Sequence, residues 1–231
     1  IGCSMSGIVQ AFKKFGRRQV LLWVNAGYDN LTVYDKEFSE RFAIPRSIKM
    51  TSVKPSGTVS LLPGVTPGIH YPISEYYIRN VRFQDGSPLL DQLRKAGYPV
   101  EKDVYSKNTF VVSFPVKEEY FDRSVQDVTM WEQLENAAQI QQYWADNQVS
   151  VTVSFSKEEA KDIRYALELY ETRLKGVSFL PKTDHGYQQA PYIPITKEEY
   201  ETLSVKVTPV TLVGNTKEAN DEFCDGEACQ I

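Results

Sequence analysis

The sequence is organised around the stretch KPSGTVSLLPGVTPGIHYP at residues 54–72. Residues 48–53, directly before it, alternate apolar and polar side chains, which is typical of a half-buried strand. A proline, small hydroxyl residues and a glycine follow, and this order predicts that the strand ends in a tight turn. Two Pro-Gly pairs, at 63–64 and 67–68, predict a second turn. This second turn is close enough in the chain to line the same pocket as the first.

The first of these turns carries residue types that bind phosphate. Gly57 lets the backbone approach a ligand closely, and hydroxyl donors are added by Ser56, Thr58 and Ser60. If a helical turn begins at Thr58, its first N–H groups have no helical partner and can donate to a phosphate. On composition alone, an ordinary loop rich in proline and glycine is the more common interpretation. His70, beside this loop, is a candidate for the pocket wall.

The composition of the 231 residues is ordinary for a soluble globular protein, with 42% hydrophobic and 24% charged residues. A net charge of −4 argues against a general binder of nucleic acids or membrane surfaces. No apolar run approaches the length of a membrane span. The first residue is not methionine and no signal-like segment follows, so we expect a cytoplasmic chain that begins within a longer protein.

Predicted strands alternate with predicted helices up to residue 203. The strands are expected at 76–83, 109–114, 148–155 and 177–181. The helices are expected at 31–42, 88–96, 130–144 and 157–175, and a last short helix follows Thr196. Strands separated by helices point to βα units, so the sequence predicts an α/β fold and, within it, part of an α/β barrel.

From residue 204 onward the alternation of predicted strands and helices ends, and a largely polar segment without a pattern follows. We therefore predict a barrel part at 1–203 and a mobile tail at 204–231. Valines and a leucine within 205–212 predict an edge strand, which Pro209 makes marginal. The polar, unpatterned residues 214–222 predict a flexible tether.

Two cysteines, Cys224 and Cys229, follow the tether. They enclose four residues that include a glycine, so the chain can fold back and bring the two sulfurs within disulfide reach. We interpret them as a pair that exchanges electrons. The alternative, a metal site, would need two more ligands, and nitrogen or sulfur donors come only from Cys3, His70 and His185.

The central loop and the cysteine pair together resemble one family. Residues 54–72 resemble the substrate phosphate-binding loop of ribonucleotide reductases, in the form carried by adenosylcobalamin-dependent (class II) ribonucleoside-triphosphate reductases. The segment CDGEAC at 224–229 resembles the C-terminal redox pair of the same family. The resemblance covers nearly the whole chain and implies the C-terminal part of a larger enzyme. The fold it implies is part of the ten-stranded α/β barrel of ribonucleotide reductases and glycyl-radical enzymes.

The resemblance also implies a mechanism, a cofactor and partners. The cofactor would be adenosylcobalamin, the substrate a ribonucleotide, and the chemistry a thiyl-radical reduction. The pair Cys224 and Cys229 would reduce an active-site disulfide and would itself be reduced by thioredoxin. The family's radical cysteine stands in an Asn-Pro-Cys context, which Cys3 lacks, so we expect this chain alone to be inactive and to act with the remainder of the polypeptide.

Two other interpretations remain open at the level of sequence. One is the large subunit of a diiron-dependent reductase, although Tyr76 and Tyr77 lie too early to serve as its tyrosine relay. The other is a stand-alone nucleotide-phosphate binding module with a redox tail. Arg79 and Arg82 are expected on one face of a strand, where an ion-paired surface is the ordinary interpretation and phosphate contact the alternative.

Overall fold

The computed structural model describes residues 2–183 and 187–210. The α-helices are α1 Ile8–Phe15, α2 Arg17–Phe42, α3 Pro88–Lys95, α4 Met130–Tyr143, α5 Ile163–Tyr170 and α6 Lys197–Lys206. The strands are β1 Tyr76–Gln84, β2 Val100–Lys102, β3 Thr109–Lys117, β4 Thr152–Phe155, β5 Ser178–Pro181 and β6 Tyr192–Pro194. Short 3₁₀ turns lie at Val59–Leu61, Val125–Asp127 and Ala160–Asp162. Within these residues no helix is long and apolar enough to cross a membrane.

One half of the fold is a series of parallel extended segments connected through helices. β4 pairs in parallel with β5, and α5 lies between them in the chain. Isolated parallel bridges extend the series, from Val149 to Val53 and from Thr51 to Cys3. Parallel neighbours need a crossover connection, and helices provide it between Cys3 and Thr51 and between β4 and β5, as the sequence predicts for an α/β fold. Between Val53 and Val149 the connection includes further strands as well as helices. The predicted strand at 48–53 is therefore shorter than expected, because only its last residues find partners within the described chain.

The other half is an antiparallel sheet, which the pattern of alternating elements does not predict. Its strand order is β2-β3-β1-β6. β1 and β3 pair over nine residues in unbroken register, from Tyr76 opposite Lys117 to Gln84 opposite Thr109. α3 packs on this sheet, where Leu90 and Leu93 form a small core with Val112.

The main core lies between α4 and the parallel segments. Leu134 and Ile140 of α4 are buried against Val53, Val149 and Val153. Val149, Val151 and Val153 are buried while the two residues between them are not, so one face of this stretch packs against the core. Val53, the residue directly before the 54–72 loop, is buried in this core, so the core sets the position at which the loop begins.

Several element boundaries differ from the sequence-based expectations. The helix expected at 31–42 is the second half of α2, which begins at Arg17. The edge strand expected at 205–212 is wrong in its described part, because Val205 lies in α6 and residues 207–210 form no strand. The expected domain boundary at 204 therefore falls inside a helix that begins with a capping box between Thr196 and Glu199.

Candidate functional site

The 54–72 loop leaves the core at Val53 and returns to the point where it began. The backbone N–H of Lys54 donates to Ser4 Oγ at 2.8 Å. Gly68 approaches Lys54 so closely that a Cβ at Gly68 would overlap the Lys54 carbonyl oxygen. A glycine with φ of +52° permits both this approach and the left-handed backbone. The two ends of the loop are therefore in contact.

Helix α1 holds the loop from one side. The N–H groups of Gly7 and Ile8 donate to the carbonyls of Thr66, at 2.9 Å, and Gly68, at 3.3 Å. In return, the Thr66 N–H donates to Gln10 Oε1 at 3.0 Å. These hydrogen bonds hold the loop in one conformation, and a binding site needs such a fixed geometry if it is to be preorganised for its ligand.

The turn at the tip of the loop has the form that the sequence predicts. Ser56 has a left-handed φ of +44°, and a 3₁₀ turn follows at Val59–Leu61. The Ser60 N–H donates to the Ser56 carbonyl at 3.1 Å. Among the described residues, the N–H groups from Ser56 through Val59 have no backbone or side-chain acceptor. The turn therefore presents a row of unused donors, whose role in phosphate binding stays a prediction.

Polar groups without partners lie in and beside this turn. Ser60 is only 1% exposed, and its Oγ has no hydrogen-bond partner within the described chain. A Cβ placed on Gly57 would lie 3.2 Å from Tyr192 Oη and 3.8 Å from Arg79 Nη2. Buried polar atoms are nearly always hydrogen-bonded in folded proteins, so an unpartnered one calls for a physical account.

Arg79 and Arg82, both in β1, lie on opposite faces of the strand and have different partners. Arg79 lies with its guanidinium carbon 4.3 Å from the Tyr192 ring centroid, and Arg82 forms an ion pair with Asp103 at 3.3 Å. Side chains three positions apart in a regular strand point to opposite faces, and the register of β1 is unbroken. The expectation that the two arginines share a face was therefore wrong, because the spacing of three does not match a period of two.

His70 connects the loop to β4. Its Nδ1 lies 3.2 Å from the Pro67 carbonyl, and its Nε2 accepts from the Thr152 N–H at 3.1 Å. Burial lowers the pKa of His70, which favours the neutral ring that can accept at Nε2 while donating at Nδ1. Both ring nitrogens thus have protein partners, and the role of His70 as a pocket wall stays a prediction.

A buried carboxylate lies behind the loop, and sequence reasoning missed it. Glu118 is 6% exposed, and it accepts from Gln10 at 2.9 Å and from the Tyr77 hydroxyl at 3.3 Å. Burial raises the pKa of Glu118, while those two hydrogen bonds act in the opposite direction. In the sequence it sits in a polar run, KEEY at 117–120, which gives no signal of burial.

A cavity of about 230 Å³ lies next to the end of the loop. Tyr71, Arg123 and Glu132 contribute to its wall, together with Lys13 and Arg17 from the α1–α2 region. Burial raises the pKa of Tyr71 to about 12, and its hydrogen bond to Glu132 acts in the same direction. At neutral pH the Tyr71 hydroxyl is therefore a donor.

The remaining candidates from the sequence are the three cysteines and His185. Cys224, Cys229 and His185 lie outside the described residues. Cys3 is exposed and is a free thiol. Across 2–183 and 187–210, no group of three or more His, Cys, Asp or Glu side chains is arranged to hold a metal ion.

Comparison with known proteins identifies relatives of one kind. The chain is 46% identical over 239 residues to an adenosylcobalamin-dependent ribonucleoside-triphosphate reductase of Euglena gracilis, covering 99% of this chain and 33% of that protein. It is also 46% identical to a probable enzyme of the same name from Dictyostelium discoideum, covering all of this chain and 32% of that protein. No family model matches the chain.

A solved structure confirms the fold class. The crystal structure of a B-12 dependent (class II) ribonucleotide reductase superposes with a TM-score of 0.77 at 34% identity, covering 90% of this chain and 33% of that one. The chain thus spans about a third of the length of the relatives it matches. Similarity along almost the whole chain, in both sequence and structure, confirms the resemblance seen at residues 54–72. In sequence and in structure, the chain is therefore similar over nearly its whole length to about a third of an adenosylcobalamin-dependent ribonucleoside-triphosphate reductase.

Proposed function

We propose that this chain is part of a ribonucleoside-triphosphate reductase, which converts ribonucleotides to 2′-deoxyribonucleotides. The names of the relatives support this activity and favour a triphosphate substrate. They also favour the adenosylcobalamin class over the diiron class, the alternative that the sequence left open.

Within that enzyme, residues 54–72 bind the phosphates of the substrate. The observation that carries this proposal is the row of N–H groups from Ser56 through Val59, which have no acceptor among the described residues. Such groups at the start of a helical turn favour an anion, because each N–H adds a donor and a partial positive charge. The hydroxyls of Thr58 and Ser60 are additional donors for phosphate oxygens.

The reduction itself follows a thiyl-radical route. A cysteine radical takes the 3′-hydrogen, the 2′-hydroxyl leaves as water, and a cysteine pair supplies two electrons and becomes a disulfide. The sequence contains no Asn-Pro-Cys segment, so the radical cysteine is assigned to the remainder of the polypeptide. Residues 1–231 alone are accordingly expected to reduce no ribonucleotide.

Adenosylcobalamin is the cofactor that the names of the relatives give to those enzymes, and we propose it for the complete reductase. The described residues do not show a fit for it. Neither the 230 Å³ cavity nor a second cavity of about 700 Å³ beside α2 and α4 is large enough to enclose a corrinoid ring with its adenosyl group. We therefore assign no residue of this chain and no step of the reaction to the cofactor.

The tail cysteines, Cys224 and Cys229, are proposed as the shuttle between an active-site disulfide and thioredoxin. Their spacing and their position after a polar segment support this role. Each transfer is a thiol–disulfide exchange, in which the tail pair becomes oxidised as the buried disulfide is reduced. Thioredoxin then reduces the tail disulfide.

The phosphate loop is tested by adding bulk at Gly57 in the complete reductase. Gly57→Val would place a branched side chain against Tyr192 and the free N–H groups, so the KM for the ribonucleotide should rise about tenfold or more. Gly27→Ala is the control, because a Cβ there meets Trp144 at an ordinary 3.7 Å. Unchanged nucleotide affinity in Gly57→Val would show that the loop does not bind phosphate.

A further inference from the structure

Arg79 has a guanidinium group that is only partly used by the protein. Its Nη1 donates to the Pro191 carbonyl at 3.0 Å and more weakly to the Asn80 carbonyl at 3.4 Å. Its Nε is buried and has no hydrogen-bond partner, and Nη2 has no acceptor among the described residues. An arginine with a purely structural role would be expected to satisfy its buried Nε–H, because an unsatisfied buried donor is costly.

The unused part of Arg79 lies beside the phosphate loop. Nη2 is 3.8 Å from the position that a Cβ on Gly57 would occupy, so only the missing side chain of a glycine separates them. The Tyr192 ring, stacked on the guanidinium at 4.3 Å, holds the group in this orientation. The buried Ser60 Oγ, which also lacks a partner, belongs to the same turn.

The charge of Arg79 also lacks a partner within hydrogen-bonding reach. No carboxylate of the described residues forms an ion pair with it, whereas Arg82 on the same strand is paired with Asp103. Glu118 is the nearby buried carboxylate that must be considered. It accepts from Gln10 and from Tyr77, and no cation is within ion-pair distance of it in the described chain.

We propose that Arg79 binds the phosphate chain of the nucleotide held by residues 54–72 and is the cation of that site. A nucleoside triphosphate carries several negative charges, and the N–H groups of the turn supply only partial positive charge. A guanidinium presents planar donors that match phosphate oxygens, and here the donor that faces the loop without an acceptor is Nη2. Tyr192 acts as a positioning residue, because it holds the guanidinium plane towards Gly57. This inference rests on the proposed function of the loop.

The test compares Arg79→Gln with Arg82→Gln in the complete reductase. Glutamine at 79 keeps a donor for the Pro191 carbonyl but removes the charge. We expect the KM for the ribonucleoside triphosphate to rise about tenfold or more, with kcat changed less than twofold. The KM should also become less sensitive to salt, because an ion pair with phosphate is lost. Arg82→Gln should keep the parent values of both quantities.

Three outcomes would overturn the inference. The first is an Arg79→Gln KM within twofold of the parent. The second is a raised KM whose salt dependence equals that of the parent, which would indicate a structural role. The third is an Arg82→Gln variant that loses as much affinity as Arg79→Gln.

A second substitution keeps the inference testable if Arg79→Gln does not fold. Arg79→Lys retains the charge but not the planar donors, so its KM should rise by about three- to tenfold while its salt dependence is kept. A parent-like KM in Arg79→Lys would overturn the inference. The Gly57→Val result separates the two proposals. If Gly57→Val binds normally, the loop is not the site; if it fails to bind while both Arg79 variants bind normally, only the role of Arg79 is wrong.

Discussion

The hydroxyl of Tyr71 donates a hydrogen bond to the carboxylate of Glu132 at 2.7 Å, and this contact fastens the end of the 54–72 loop to α4. Arg123 binds the same carboxylate with two hydrogen bonds, at 2.6 and 3.0 Å. The N-terminus of α4 is capped by the Thr129 hydroxyl, which accepts from the Glu132 N–H at 3.2 Å. The Glu132 carboxylate does not complete a capping box with Thr129, because it binds Tyr71 and Arg123 instead.

Removing the Tyr71 hydroxyl should weaken the attachment of the loop to α4 while leaving the packing of the aromatic ring unchanged. Tyr71→Phe deletes the hydrogen bonds to Glu132 and from Asn136, so we expect the free energy of unfolding to fall by about 1 to 2 kcal/mol. The measurement is urea denaturation of the reductase. Tyr34→Phe is the matched control, because Tyr34 is exposed and should change stability by less than about 0.5 kcal/mol. Equal effects of the two substitutions would contradict this account of the contact.

Protonation of His70 should weaken the attachment of the loop to β4. The pKa of His70 in the folded protein is lowered by burial from 6.5, so the unfolded chain takes up a proton more readily as the pH falls. The stability contributed by His70 is therefore fully present above about pH 6.5 and decreases as the pH falls from 6.5 towards the lower folded pKa. Neutral His70 accepts from the Thr152 N–H, and a protonated ring cannot accept there.

The variant His70→Gln should remove this part of the pH dependence. Unfolding free energies at pH 7.5 and 5.5 would be compared for the parent, His70→Gln and His185→Gln, since the chain has only these two histidines. We expect the parent and His185→Gln to lose stability at the lower pH, and His70→Gln to lose clearly less. If all three proteins lose the same amount, His70 does not titrate in this way.

Substitution of Gly68 should separate the two ends of the loop. Gly68→Ala adds a Cβ that overlaps the Lys54 carbonyl, and it also strains a backbone with φ of +52°. Gly86 has φ of +89° with nothing within 4 Å of its Cβ position, so Gly86→Ala is a control for backbone strain alone. We expect only Gly68→Ala to raise the nucleotide KM about tenfold. Steady-state kinetics of both variants in the complete reductase would check this, and parent-like KM in Gly68→Ala would contradict it.

The sequence predicts those features that depend on neighbouring residues. The turn after Thr58, the short helix after Thr196 and the short helix after Ser87 each follow from local hydrogen-bonding rules, and each is present. The strand expected at 148–155 is present in its second part, as β4, because alternation of buried and exposed side chains is also a local signal.

Features that depend on contacts between distant residues could not be predicted in this way. The antiparallel pairing of β1 with β3 joins Arg79 to Phe114, and no local pattern fixes that register. The closeness of Gly57 to Tyr192 and Arg79 joins segments far apart in the chain, so the unpaired guanidinium becomes visible only in the structure. Glu118 is buried among Gln10 and Tyr77, which a polar sequence run gives no reason to expect.

The tail cysteines should be required for repeated turnover and not for the reduction of a single substrate. The sequence predicts a polar tether at 214–222, and nine residues of flexible chain span on the order of 15–18 Å. That reach would let Cys224 and Cys229 meet a buried disulfide and then thioredoxin. In a complete reductase that has been reduced beforehand, replacing either cysteine with serine should therefore leave the first turnover intact.

Multiple turnover separates the shuttle from other roles of the tail. With thioredoxin as reductant, Cys224→Ser and Cys229→Ser should each stop after the first turnover, because the active-site disulfide is no longer reduced. A small dithiol that enters the site should restore turnover in both variants. Cys3→Ser is the matched control, since Cys3 is a free thiol in the described chain and is expected to leave thioredoxin-driven turnover unchanged. Full thioredoxin-driven activity in the double variant Cys224→Ser, Cys229→Ser would show that the tail pair is not the shuttle.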